Sequence, residues 1–204
     1  MKERPILFSG PMVNAILDNR KTQTRRPIKW PVFGPTIGTA RIQRIFIPED
    51  IEKHREAIVS RCPYGQPGDR LWVREAWADC KCGDFYFRAD SFHGPDEKPY
   101  CPGCDKNLDR WRPSILMPRW ASRITLEITA VRAERLQNIS AKDAVAEGVI
   151  IEGSGMMDAC DIASQAKDKY RDLWDSINAK RGFSWDSNPF VWVIEFKRIN
   201  EARP

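Results

Sequence analysis

The sequence predicts an α+β fold: a small β-barrel, closed or nearly closed, with helices packed on its outside. Three observations predict it. Strand-like runs alternate with short helical ones, and strands lie near both ends of the chain. The longest strand pattern sets Ile124, Leu126 and Ile128 against Thr125, Glu127 and Thr129. A length of 204 residues fits one domain with an insertion and can bury a core without staples.

The elements follow in order. Pro5 to Ser9 reads as a short strand. Gly10-Pro11 opens a helix, with Pro11 in the first turn, where its missing N–H costs little. Met12, Ala15 and Ile16 share one face of it. It ends near Asn19-Arg20, and Lys21 to Arg26 turns into an extended segment, because Pro27 disfavours helix before it. Lys29 to Thr39, with two prolines and two glycines, reads as a loop, Arg41 to Ile47 as a strand and Glu49 to Val59 as a short helix. Tyr64 to Asp69 is a turn. Leu71 to Trp77 reads as one buried strand with Leu71, Val73 and Glu75 on one face; Glu75 there needs a partner or a solvent-filled pocket. Asp84 to Asp90 is a further strand, and Ser122 to Leu136 holds the longest one. Ser140 caps a helix over Ala141 to Glu147, with Asp143 where a capping box reaches back, and Gly148 closes it. Asp158 to Lys180 is a longer helix ended by Gly182, and Pro189 to Ile199 is the final strand.

Composition narrows the class. Apolar residues are 42% and charged residues 30%, as in a soluble globular protein. No run approaches the roughly 18 apolar residues of a membrane span. The first ten residues hold only a three-residue apolar run, which excludes a secretory signal and predicts a cytoplasmic protein. In a reducing compartment six cysteines are metal ligands or free thiols rather than disulfides. The formal charge is +5, and seven cations lie between Asn19 and Pro48 with no acid among them; without those seven the charge is −2. Such a patch is either a solvated surface or a site for an anionic partner.

Cys80-Lys81-Cys82 precedes Cys101-Pro102-Gly103-Cys104 by eighteen residues. Two close thiol pairs so spaced resemble a four-cysteine zinc site, with Gly103 permitting the tight turn of the second pair. Four thiolates leave no open position, so the expected zinc is structural. The segment 80–104 then reads as a zinc-knuckle insertion in a domain spanning 1–204. His93 is a possible substitute ligand, and Cys62 and Cys160 are isolated core or surface thiols. No organic cofactor is expected.

The run Ile16-Leu17-Asp18-Asn19-Arg20-Lys21-Thr22-Gln23-Thr24-Arg25-Arg26 resembles the signature of ASCH domains, PUA-like β-barrels linked to RNA. That signature is an apolar helix, a small or Gly turn, then Lys-Thr-x-Thr-x-Arg or a variant. Asn19 stands where many members have Gly, a position Asn tolerates because it too adopts positive φ. Pro67-Gly68-Asp69 before Arg70-Leu71-Trp72-Val73-Arg74-Glu75 is similar to the family's turn and strand, and Phe190 to Phe196 to its closing strand. The resemblance covers roughly 4–30, 60–79 and 110–199. Longer relatives with the segment Arg119-Trp120-Ala121-Ser122-Arg123-Ile124 look like phage or prophage proteins.

One branch of that family is a set of small bacterial amidohydrolases that deacetylate acetylcytidine with a Lys, a Thr three residues on and a Glu on a later strand. The resemblance implies Lys21, Thr24 and Glu75 in those roles. Arg25, Arg26 and Arg74 are candidate substrate-binding cations, and the resemblance implies a modified nucleoside or RNA as partner. Chemically, Thr24 needs a neighbour to take its proton. Lys21 can do so only when neutral, which burial and the cations Arg20, Arg25 and Arg26 promote. Glu75 can orient Lys21 or protonate the leaving amine. The purely structural alternatives are a helix-terminal cation, a turn hydroxyl, and a Glu75 paired with Arg26 or Arg74. A second function is a non-catalytic RNA- or DNA-binding module. Arg110-Trp111-Arg112 and Arg119-Trp120 interleave cations with rings, whereas Trp72 and Trp192 are expected in the core. A ribonuclease using the same basic groove is a third.

Overall fold

A computed structural model describes residues 1–30, 32–37, 42–90, 98–151 and 159–199. Along the chain run β1 (Glu3–Leu7), α1 (Gly10–Leu17), β2 (Gln23–Pro27), β3 (Val32–Ile37), β4 (Ile42–Phe46), α2 (Ile51–Val59), β5 (Arg70–Arg74), β6 (Trp77–Asp79) and β7 (Phe85–Phe87). There follow β8 (Tyr100–Cys101), β9 (Lys106–Asn107), β10 (Thr125–Arg135), α3 (Ala141–Ala146), α4 (Ala159–Asn178) and β11 (Phe190–Ile199). The mixed α+β class agrees with the sequence. The closed barrel does not: the five-stranded sheet has the order β1-β5-β10-β11-β2, and among the described residues it does not close. The other six strands pair with their chain neighbours into three separate ribbons, so they add nothing that would close the sheet. Among the described residues, no helix is long and apolar enough to cross a membrane.

The chain divides into two compact units: Met1–Asn19, Asp69–Glu127 and Lys197–Pro204 in the first, Arg20–Gly68 and Ile128–Phe196 in the second. In the first, β5 lies between β1, parallel with Ile6 opposite Val73, and the start of β10, antiparallel with Thr125 opposite Trp72. Leu71, Trp72 and Val73 are consecutive and all buried, the pattern of a strand covered on both faces. β5 stops at Arg74, so the single strand expected over Leu71 to Trp77 is in fact two. The Glu75 N–H turns to Met117 Sδ (3.4 Å), and Trp77 starts a new ladder opposite Phe87. α1 buries Val13, Ala15 and Ile16.

In the second unit β2 pairs antiparallel with β11, Thr24 opposite Ile194. Leu136, Ile139, Ala144, Ala166, Tyr170, Trp174, Val191 and Val193 form the core under α3 and α4. The loop expected over Lys29 to Thr39 holds a strand, β3, paired with β4. Gly34 and Pro35 fall where the register shifts between Phe33 and Thr36, and such an irregularity suits residues that weaken or cannot donate to a ladder. The α3 cap is as expected: Ser140 accepts from the Asp143 N–H, and Asp143 reaches back to Ser140. Ser140→Ala is expected to lower stability by about 1 kcal/mol in urea unfolding. Gly148 and Gly182 close their helices at φ of 94° and 83°.

Candidate functional site

Lys21 lies just before β2, where the Thr22 N–H donates to the Ala146 carbonyl and ties this stretch to the end of α3. Its side chain is wholly buried, and Nζ donates to the Glu147 carbonyl at 2.8 Å and to Glu147 Oε2 at 2.9 Å. Strand alternation puts Gln23 and Arg25 on one face of β2 and Thr24 and Arg26 on the other. Arg25, also buried, reaches Glu134 (2.7 Å), Asp143 (3.4 Å) and Glu147 (3.4 Å). Arg132 joins Glu134, Asp143 and Glu195 to the same network. Burial drives the Lys21 pKa below the usual lysine range; Glu147 opposes this, and Arg26 and Arg25 reinforce it. Thr24 is buried as well. The basic run from Asn19 is therefore no single solvated surface, since Lys21 and Arg25 are internal and neutralised by acids from later in the chain. Arg41 and the side chain of Arg44 lie outside the described residues.

Glu75 follows β5 in the first unit and is 1% exposed. Its partner is Arg123, not Arg26 or Arg74: Nε to Oε1 at 2.9 Å and a second nitrogen to Oε2 at 3.0 Å. The third nitrogen of Arg123 bonds Asp90 at 2.9 Å, and the guanidinium lies 4.1 Å over the Phe87 ring. Burial raises the Glu75 pKa, and Arg123 counters only part of it. Arg74 instead stacks on Trp72 at 4.6 Å. Beside Glu75 is a pocket of about 410 Å³, walled by Phe8, Ser9, Gly10, Arg88 and Ser114. That volume lies in the range of small-molecule sites, about 300–1,000 Å³. The first unit thus joins Glu75 to Arg123 and a pocket. The second joins Lys21 to Glu147 and Arg25.

The four cysteines come together in the first unit. Cys80 and Cys82 sit on the turn of the β6–β7 ribbon, Cys101 at the end of β8 and Cys104 on the turn between β8 and β9. All four sulfurs lie within 4.8 Å of one another. Cys80–Cys104 is 3.7 Å and Cys82–Cys101 is 3.6 Å, close to the edge of about 3.8 Å of a sulfur tetrahedron around zinc. The Tyr86 hydroxyl donates to Cys101 Sγ at 3.1 Å and is the largest of the effects that bring that thiol's pKa to about 6, while hydrogen bonds with the neighbouring thiols leave Cys82 and Cys104 raised. These residues can hold a metal ion. His93 lies outside the described residues. Cys62 is buried and Cys160 exposed, one a core thiol and the other a surface thiol.

Glu147, Glu134 and Arg132 escaped sequence reasoning. One signal existed for Glu147: an acid at a helix C-terminus opposes the helix dipole and calls for a cation.

No protein-family model and no curated protein matches the chain. Among solved structures, it matches the crystal structure of an ASCH domain from Lactobacillus crispatus JV V101, over 98% of this chain and 81% of that one, at 12% identity and a TM-score of 0.42.

Proposed function

We propose that the protein hydrolyses the amide of an N-acylated cytosine nucleoside or a related modified base. The observation that carries this reading is Glu75, a buried carboxylate of raised pKa beside a pocket of nucleoside-accommodating volume. A carboxyl at such a pocket can give or take a proton for a bound base. The Lys21–Thr24 motif and the burial of both side chains support the other half of the chemistry. Thr24 Oγ attacks the acyl carbon while neutral Lys21 takes its proton, and Arg26 or backbone N–H groups stabilise the oxyanion. The C–N bond then breaks as the leaving amine takes the proton that Lys21 removed from Thr24, and water releases the acyl group from Thr24 as the free acid. Arg25 and Arg74 complete the proposed substrate-binding set, and the four cysteines hold a structural zinc ion.

The test is chromatographic conversion of acetylcytidine to cytidine. Wild-type protein should convert it, and Lys21→Ala should lose at least about 100-fold in rate. No conversion by zinc-replete, folded protein would overturn the reading. It would promote the second one, a nucleic-acid-binding module, which the 54% exposure of Trp120 next to Arg119 favours. RNA affinity would then fall steeply with salt.

A further inference from the structure

The four clustered thiols differ in what can reach them. Cys82 is exposed, Cys80 and Cys104 are half-buried, and Cys101 is buried. Each faces a thiol of the other ribbon: Cys82 is 3.6 Å from Cys101, and Cys80 is 3.7 Å from Cys104. Either gap needs to close by only roughly 1.6 Å to reach the length of a disulfide. Backbone hydrogen bonds hold the first ribbon's pair in place, since the Cys80 N–H donates to the Asp84 carbonyl and the Gly83 N–H to the Cys80 carbonyl, both at 2.9 Å. A bond within one ribbon, Cys80 to Cys82 or Cys101 to Cys104, would leave the two ribbons unjoined. A bond across them spans 19 or 24 positions of chain, so it ties the ribbons and restrains the unfolded state as well.

We propose that the cluster is a redox-sensitive zinc-release device: hydrogen peroxide converts its four thiolates to the disulfides Cys82–Cys101 and Cys80–Cys104, the metal leaves, and the ribbons stay joined. Cys82 is the thiolate that peroxide meets first. Its sulfur attacks one peroxide oxygen, the O–O bond breaks, and Cys82 becomes a sulfenic acid as hydroxide leaves. The Cys101 thiolate then attacks that sulfur, the S–S bond forms, and a second hydroxide leaves. Each hydroxide takes a proton from solvent. Cys80 and Cys104 repeat both steps with a second peroxide. The four thiolates are oxidised and the two peroxides reduced, so four thiolates, two peroxides and four protons give two disulfides and four waters. No thiolate is left to hold the zinc ion. A dithiol reverses the change by thiol–disulfide exchange. The consequence lies at the other end of β7, where Arg88 and Ala89 wall the pocket and Asp90 holds Arg123. Zinc lost to a chelator unties that wall, whereas zinc lost to an oxidant does not.

The experiment treats the full, zinc-loaded chain with hydrogen peroxide and follows it by native mass spectrometry, a zinc-binding dye, peptide mapping and amide exchange. Wild type is compared with Cys160→Ser, which removes the exposed thiol outside the cluster that could crosslink two chains. The expected result is loss of the bound zinc and a metal-free chain four hydrogens lighter than the reduced one. Peptides should be joined through Cys82–Cys101 and Cys80–Cys104, and amide protection over 77–87 should be kept. A dithiol with added zinc should restore the starting mass. The reduced chain treated with a chelator is the reference, in which that protection is lost. A reduced chain that carries no zinc, zinc retained until Cys82 reaches the sulfinic acid, disulfides within a ribbon, or protection lost on oxidation as fully as on chelation would each overturn the proposal. None of these readouts depends on hydrolysis. A chain that converts no acetylcytidine therefore overturns the amidohydrolase reading and leaves the zinc-release device standing.

Discussion

Stripping metal from the full chain with a chelator, or replacing Cys101 with Ser, is expected to melt the two cysteine-bearing ribbons while the β2–β11 ladder stays intact. The strands of β6–β7 are three residues long and those of β8–β9 only two. Isolated two-stranded hairpins are marginal in water even when longer. What joins these two is the sulfur cluster at their turns with the Tyr86 hydrogen bond to Cys101, while Trp77 and Phe87 of the first ribbon also pack against Met117 and Ala121. Structural zinc contributes roughly 10–16 kcal/mol in small zinc modules, more than any other single interaction available to so short a pair of ribbons. The effect should reach Glu75, because Phe87 and Asp90, in β7 and just after it, hold Arg123. Native mass spectrometry should show one zinc per chain. On chelation, amide protection should vanish over 77–87 and persist over 190–196. Emission from Trp77 and Trp120, whose rings meet edge-on at 6.0 Å, should shift to the red. Protection over 77–87 that survives complete zinc removal would show that the ribbons stand by their own packing.

The cysteine pairs were legible in the sequence because metal ligation is local: two ligands per turn, with a glycine to make the turn. The α3 cap was legible for the same reason, since Ser140 and Asp143 meet within one helical turn. The run Leu71 to Trp77 misled because periodicity follows side chains and not ladder partners. The backbone leaves the sheet at Glu75, while Leu71, Trp72 and Val73 before it and Trp77 and Ala78 after it are all apolar and buried. The loop expected near Gly34 misled in the opposite way, its glycine and proline marking a register shift inside a strand pair. The partners of the candidate residues were the least legible. Lys21 meets Glu147 across 126 positions and Glu75 meets Arg123 across 48. No local pattern encodes which acid a buried cation will find.

Arg123→Met is expected to cost about 3–5 kcal/mol at neutral pH, more than removing the carboxylate it serves, because it strands a charge in the interior. The asymmetry follows from exposure. Glu75 has a side chain 2% exposed and loses both of its carboxylate hydrogen bonds with Arg123, whereas Arg123 is 18% exposed and keeps Asp90 when Glu75 is neutralised. Glu75→Gln should therefore be the milder change, and Glu75→Gln with Arg123→Met should recover much of the loss of Arg123→Met alone. The pH dependence has a definite sign. Burial already holds the folded Glu75 pKa above its unfolded value of about 4.3. A carboxyl so raised contributes stability that is complete below that value and is lost as pH rises through the folded pKa. Without Arg123 the folded pKa climbs further, so the deficit of Arg123→Met should widen from pH 5 to pH 7 and shrink toward pH 4. Urea unfolding at those three pH values reads it directly. A deficit independent of pH would mean that lost packing against Phe87, rather than the stranded carboxylate, is what the substitution removes.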